Sequence, residues 1–408
     1  MEKGPKLRHV EAFPVDTEDG KMIALRDPLG ISEEIILVTQ AALFILQFCD
    51  GEHSKADIVA HSSKKLGFEI EMELFENLLA HLDENYLLDN QNFRNRMRTI
   101  ESALLKGEFR PAAHAGASYP AEREALAKQI DAFFLEKNGA GKIGPVNGLP
   151  TPKGIIAPHI DLRIGGSTYT HAYKRIAESP AADVYVILGT GHAGLRNVYS
   201  VLPIDFDTPL GRVETDKKFI KALEKKYAGD LYSDVFLHKS EHTIEFQTVF
   251  LKKLLGDRPF TIVPVLCSFS YHALVMDQFS REKAIIESFS QALRQTIRDE
   301  KRTVTVIASV DFAHVGPRYG DRSRPDARFL QEVESHDQAA LQSALRVDAD
   351  GWLKNIASVD DRYRICGFSP IYTLLSAIEA QKGELLHYEQ GLMDDKQSVV
   401  SFCSAVLY

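Results

Sequence analysis

Four segments carry side chains able to bind a metal ion or move a proton. "IIAPHID" puts His159 and Asp161 directly after an apolar run, and "VYVILGTGH" does the same for His192. "TVIASVDFAHVG" supplies Asp311 and, three residues later, His314. "RICGFSPI" sets Cys366 in front of a glycine and a proline. Imidazole, thiolate and carboxylate are the usual ligands of zinc, iron and copper. No pair has the close spacing of a zinc finger or an H-E-x-x-H helix, so placement carries the signal. A lone histidine at a strand end is ordinarily structural. Three runs that each deliver a histidine to one edge, with carboxylates beside them, form the pattern of a metal site.

Cys366 alone admits four roles: disulfide half, redox nucleophile, small buried apolar residue or metal ligand. The other cysteines, Cys49, Cys267 and Cys403, are far apart and form no C-x-x-C pair, so neither a disulfide framework nor a zinc ribbon is written here. Cys49 in "LFILQFCDG" and Cys403 in "VVSFCSAVL" sit inside apolar runs and read as packed thiols. Cys366 stands at a strand-to-turn boundary, which suggests a thiol facing a cavity.

A further cluster is "HKSEHTIEFQ", in which His238, Glu241, His242 and Glu245 bunch together. His242 and Glu245 are three residues apart and share one face of the helix that begins here. They could orient a ligand histidine or move a proton. The bland alternative is a solvated helix start, with Ser240 as cap and Glu245 offsetting the dipole.

The elements that must position these residues follow from hydrophobic pattern. "KGIIAP", "DVYVILG", "FTIVPVLC", "TVTVIAS" and "VVSFCSAVLY" are short and apolar throughout, as in strands buried on both faces. They alternate with amphipathic stretches such as "AEREALAKQIDAFFLEK" and "REKAIIESFSQALRQTIRDE". The result is an α/β domain over 113–408, a mostly parallel or mixed sheet flanked by helices, with function at the carboxyl ends of its strands. Ahead of it, "MIALRDPLG" reads as a short hairpin and "SEEIILVTQAALFILQFCDG" as a helix ended by Asp50-Gly51. A second helix opens at a Ser54 cap, and a third carries Leu74, Leu78, Leu79 and Leu82 on one face. Residues 1–90 are therefore expected to form a small, mainly helical, winged-helix-like domain, joined by a linking helix over 91–112.

The totals exclude several classes. A chain of 408 residues favours two domains, and a net charge of −9 argues against a nucleic-acid binder. The opening "MEKGPKLRHVEAF" lacks the apolar core of a signal peptide, and the run "IILVTQAALFILQF" is too short to span a bilayer. No membrane association is expected, and the location expected is cytoplasmic.

Taken in order, "HAGASYP", "IIAPHIDLRIGG", "VILGTGHAG", "FDTPLGRVETD", "HKSEHTIEFQ", "TIVPVLC", "VDFAHVG" and "RICGFSPI" resemble the Memo family, which supplies the B component of AmmeMemoRadiSam systems. The resemblance covers roughly 113–408 and implies a fold similar to the LigB-type, class III extradiol dioxygenases. It places the metal ligands on His159, His192 and Cys366, and pocket residues on Asp311, His314, His242 and Glu245. A thiolate in place of a carboxylate ligand favours Cu or Fe(II), with Zn as the alternative. The spacing within residues 31–90 resembles the PqqD-like family, whose members bind leader peptides for radical-SAM enzymes. A radical-SAM protein, an AMMECR1-like protein and a peptide ligand of the first domain are the partners implied.

Three functions remain open on this reading. One is a dioxygenase-like redox enzyme in which His314 exchanges a substrate proton and Asp311 sets its tautomer. Another is a non-catalytic metal- or peptide-binding module. The third is a metal-dependent hydrolase, for which Asp161 is the candidate carboxylate. Asp161 stands where the resemblance would have a small residue, which raises the chance of a further oxygen ligand.

Overall fold

In the computed structural model, residues 4–18, 20–32, 34–146 and 148–408 are described. Cα packing divides the chain into two units, Met1–Lys106 and Gly107–Tyr408.

The first unit opens with an antiparallel hairpin, β1 (Glu11–Thr17) and β2 (Gly20–Arg26), which β3 (Ile36–Val38) extends. Four helices follow: α1 (Gln40–Leu46), α2 (Lys55–Leu66), α3 (Met72–Glu84) and α4 (Gln91–Lys106). Ser54 caps α2 as expected, in a reciprocal capping box with Asp57. The apolar run expected to be one helix is instead β3 followed by α1. Thr39 ends the strand and accepts from the Ala42 amide, starting a helix that the run of apolar residues had concealed. Leu79 and Leu82 join the core of this unit with Phe75, Ile58 and Leu25, and Leu78 lies against it. Leu74 does not; it is 66% exposed. The helix α4, expected within a 91–112 linker, falls inside this unit.

The second unit holds nine strands in one mixed sheet. Its elements begin with β4 (Phe109–Arg110), α5 (Arg123–Leu135), β5 (Gly154–Ala157), α6 (Leu162–Ala177) and β6 (Val184–Thr190). Short strands β7 (Tyr199–Val201), β8 (Asp205–Phe206) and β9 (Glu214–Thr215) lead into α7 (Lys217–Glu224) and α8 (His242–Leu255). Then come β10 (Thr261–Cys267), α9 (His272–Val275), α10 (Ser280–Asp299), β11 (Val304–Ser309) and β12 (His314–Val315). Helices α11 (Ala327–Leu345), α12 (Ala349–Ala357) and α13 (Phe368–Ala377) precede the closing hairpin of β13 (Gly383–Leu392) and β14 (Val399–Leu407).

The sheet runs β12-β14-β5-β11-β6-β10-β7, with β13 on β14 and β9 on β10. The four central strands, β5, β11, β6 and β10, are parallel, and β14 and β7 flank them antiparallel. Every residue of β5, β6 and β11 is buried, which explains their uninterrupted apolar pattern. The strand β13 was not anticipated. Most of its residues are only half-buried, so "GELLHYEQGL" shows no continuous apolar run. Among the described residues no helix is long and apolar enough to cross a membrane.

The first unit contains a buried ion pair that suits a direct test. Arg8 forks onto Asp27 through Nη1 at 3.1 Å and Nη2 at 2.9 Å, with 6% and 0% of their side chains exposed. Asp27 also accepts from the amides of Leu29, Ile31 and Ser32, closing the turn after β2. Asp27→Ala would strand a buried guanidinium and should destabilise this unit by about 3–5 kcal/mol. Amide hydrogen exchange of the whole chain would show it as lost protection within residues 4–106; unchanged protection there would mean that the turn does not depend on the pair.

Candidate metal centre

Strands β5, β11 and β6 lie side by side, and Ser309 at the end of β11 pairs with Ala157 of β5 and Gly189 of β6. The residues just past these ends are His159, Asp311 and His192, so one edge of the sheet receives all three. Helix α8 closes over that edge. Thr243 Oγ1 donates to Thr190 O at 3.1 Å, Ser309 Oγ donates to Thr243 O at 2.6 Å, and Gln247 Nε2 donates to Pro158 O at 2.7 Å. Each of the three strand ends is thereby tied to the first turns of α8. Gly189 permits the approach, since a Cβ there would stand 2.4 Å from Thr243 Oγ1.

This docking brings His242, the first residue of α8, to the strand-end histidines. His159, His192 and His242 each offer a ligand nitrogen, and these atoms lie within 4.8 Å of one another. The rings of His192 and His242 stack with centroids 5.0 Å apart, and the His159 ring meets both edge-on. Hydrogen bonds fix the tautomers. His159 Nδ1 is 2.9 Å from Ser309 O, while Nδ1 of His192 and of His242 each lie 3.1 Å from Glu241 Oε1. Each Nδ1 therefore carries the hydrogen, and Nε2 is the unprotonated nitrogen in all three rings.

Burial, together with repulsion from the other two imidazoles, holds His159 well below the usual histidine range. Burial also keeps His242 low, against the pull of Glu241. In His192, burial works the same way, but the hydrogen bond and charge of Glu241 outweigh it and raise the ring's pKa. The Glu241 carboxyl is buried, yet bonds to both histidines hold it well below the ordinary carboxylate range.

Cys366 stands beside this group rather than within it. Its Sγ is 3.3 Å from His159 Nε2 and 3.4 Å from the Asp311 carbonyl oxygen. The turn that delivers it runs through Asp360, Asp361 and Arg364, all non-glycine residues with φ between 44° and 55°. Gly367 lets that turn close on β11, because a Cβ there would stand 2.7 Å from Asp311 O. Burial pushes the Cys366 thiol well above its ordinary value, so it stays neutral unless a cation is near. Asp311 is also buried, which raises it to about 7, although its Oδ1 accepts from the amides of His159 and Ile160. Its Oδ2 lies 3.6 Å from His159 Nε2.

The remaining expected residues are placed differently from one another. His314 Nδ1 bonds to the Phe312 carbonyl at 2.9 Å, so main chain and not Asp311 sets its tautomer. Burial lowers His314 to about 4, leaving it neutral at pH 7. Glu245 does not turn toward the histidines. It pairs with Arg110 at 2.5 Å and accepts from the Ala113 and His114 amides and the Tyr119 hydroxyl. The helix cap is Glu241, not Ser240. Asp161 is engaged as the N-cap of α6, where it also holds Arg163 Nη2 at 2.6 Å. Residue spacing missed Glu241 as the partner of two histidines; an acidic residue directly before a helix-start histidine was the available signal.

Behind the site, Asp337 of α11 accepts from Ser401 Oγ at 2.5 Å and Tyr388 Oη at 2.8 Å. Ser401 Oγ in turn accepts from the Ala313 amide, in the segment between Asp311 and His314. Burial raises Asp337 to about 7. A carboxyl lifted this far above its unfolded value, about 3.9, favours folding when protonated. That stability is complete below about pH 4 and is lost as pH rises through 7. Asp337→Asn cannot ionise, so the variant-minus-wild-type difference in Tm should be more positive at pH 8 than at pH 5. Equal differences at both would show that the Asp337 proton is not bound preferentially by the folded chain.

Comparison with known proteins identifies the family of the chain. A family profile described as Memo-like protein matches residues 110–406. A MEMO1 family protein of Aquifex aeolicus is 30% identical over 99% of this chain and 100% of its own length. MEMO1 family proteins of Methanopyrus kandleri and Pyrococcus furiosus are 31% and 30% identical, each over 73% of this chain and 98% and 99% of their own lengths. Among solved structures, an uncharacterized protein of Escherichia coli K12 is 13% identical with a TM-score of 0.36, covering 62% of this chain and 98% of that one. The chain belongs to the Memo-like protein family.

Proposed function

We propose that His159, His192 and His242 hold a metal ion and that the chain is a metal-dependent redox enzyme of the dioxygenase-like kind, with Fe(II) or Cu as the ion. One observation carries the metal reading: each of the three rings offers a ligand nitrogen, these lie within 4.8 Å of one another, and Nδ1 of each ring already faces an oxygen acceptor. The donor set fits such an ion, since imidazoles with a thiol alongside suit iron and copper. When bound, the ion would supply a Lewis-acidic, redox-active centre.

The chain's own groups supply the rest. His192, with 40% of its side chain exposed, faces the solvent side, while His159 is buried at the floor. Cys366, neutral while the site is uncharged, is placed beside His159, where a bound cation would favour its thiolate, with the proton released to solvent, and complete the donor set. His314 presents a bare, neutral Nε2 able to take a substrate proton. Asp311 secures the His159 main chain through two amides.

Two expected outcomes test this. Anaerobically purified protein should contain a redox metal at about one ion per chain; zinc instead would favour the hydrolase, and consistent absence would favour a binding module. His159→Ala should abolish binding. His242→Ala should cost more affinity than Cys366→Ser; the reverse order would make Cys366 the third ligand in place of His242. His314→Gln should keep the metal and lose on the order of 10²–10⁴-fold in turnover once a substrate is found. Equal metal loss in His314→Gln would make His314 a ligand instead.

A second reading concerns the first unit. In the described sheet β3 is paired only with β2, and Ile35 and Leu37 are 54% and 47% exposed. Such an edge accepts an extended peptide by strand addition. This is the role implied by resemblance to PqqD-like domains serving a radical-SAM partner, in a system that includes an AMMECR1-like protein. Titration of the full chain with peptides encoded beside its gene, followed by hydrogen exchange at Ile36–Val38, tests it; unaltered exchange counts against it.

A further inference from the structure

A fully enclosed cation lies behind the histidines. Arg110, with 0% of its side chain exposed, spends its guanidinium on four acceptors. Nε donates to the His238 carbonyl at 2.5 Å and Nη2 to the Glu241 carbonyl at 2.9 Å. Nη1 donates to the Pro111 carbonyl at 3.0 Å and to Glu245 Oε2 at 2.5 Å. The group lies over the Phe206 ring, 5.0 Å from its centroid.

A guanidinium is planar and always charged, so its donors form a rigid fork that fixes its acceptors relative to one another. Two of those acceptors, the carbonyls of residues 238 and 241, bracket the turn leading into α8. A third, Glu245, belongs to the first turn of that helix. The turn and the helix start are thus locked to one plane. Glu241, whose main chain is held there, is the residue whose carboxylate receives hydrogens from Nδ1 of both His192 and His242 and from the His192 amide.

We propose that Arg110 is a positioning residue for the metal centre. It fixes the main chain at Glu241, so that one carboxylate orients the two imidazoles that group with His159. The inference rests on the metal reading above but concerns a residue that touches none of the ligands.

The competing explanation is that Arg110 and Glu245 form an ion pair that merely packs the fold. Replacing both members of a buried pair with neutral side chains is often harmless to stability, whereas loss of an orienting partner lowers metal affinity about 10–100-fold. Two variants of the full chain separate the cases. Arg110→Lys keeps the charge and loses the fork. Arg110→Met/Glu245→Gln removes both charges together and keeps one oxygen to accept from the Ala113 or the His114 amide, so no lone buried charge is left.

Long-range 1H–15N spectra of the metal-free protein read the histidine tautomers, and Co(II) titration followed by visible absorption reads affinity. His192 and His242 should be Nδ1-protonated in the wild type and mixed in both variants, with Co(II) affinity lowered 10–100-fold. Glu241→Gln should lose as much, and adding Arg110→Lys to it should cost nothing further. Wild-type tautomers and affinity in either folded variant would overturn the proposal, as would a further equal loss in the Glu241→Gln background. A wild-type chain that takes up no Co(II) would sink the metal reading alone, because the tautomers report on Arg110 without any metal.

Discussion

Glu241 carries a carboxylate with 8% of its side chain exposed, and five hydrogens converge on it: Nδ1 of His192 and His242, and the amides of His192, His242 and Thr243. Two imidazoles stacked 5.0 Å apart would otherwise be free to turn and to exchange tautomers. A buried anion shared between them settles both questions at once, and it also caps the helix that carries one of them. Because the carboxylate engages Nδ1 of both rings, Nε2 of each is left without a hydrogen. The convergence of three nitrogens therefore depends on a residue that is not itself among them.

The sheet and α8 supply the matching half of the geometry. Parallel strands end at one edge, and there the main chain of β5, β11 and β6 offers groups that the strands no longer pair. Thr243 and Gln247 of α8 donate to the Thr190 and Pro158 carbonyls, and the Ser309 hydroxyl at the end of β11 donates back to the Thr243 carbonyl. The same contacts that hold the helix down thus set the spacing of His242 from His159 and His192. Cys366 arrives from another direction, on a turn with three left-handed non-glycine residues, and meets His159 at 3.3 Å. Strain of this kind persists where surrounding contacts over-determine the backbone; here Arg364 bonds to the His314 carbonyl and Asp321, and Asp361 to the Ile365 amide.

The relatives from Methanopyrus kandleri and Pyrococcus furiosus match 73% of this chain over nearly their whole length, and the family profile begins at residue 110. The Aquifex aeolicus relative matches 99% of the chain. Those two relatives accordingly match about three quarters of the chain, whereas the Aquifex aeolicus relative matches nearly all of it. That unit has its own hydrophobic core around Leu25, Phe75 and Leu82 and its own buried ion pair between Arg8 and Asp27.

Strand ends were legible because a strand buried on both faces leaves an unbroken apolar run, and His159, His192 and Asp311 stand just beyond such runs. Local rules also located Ser54 as a cap and the thiols of Cys49 and Cys403 as buried. Pattern failed where burial and period disagree: in β13, half-exposed along most of its length, and in the run from Ile35 to Phe48, where Thr39 divides strand from helix. It failed again at Leu74, apolar yet exposed. The residue types for a metal site, and the order in which strands would present them, were determined by the sequence alone. Only the tertiary structure decided that His242 joins the histidines, that Glu241 orients two of them, and that Glu245 turns away to Arg110. Those choices depend on how α8 docks on three strand ends, through bonds between residues up to 89 positions apart, and on the Arg110–Glu245 pair, 135 positions apart, which no local period encodes.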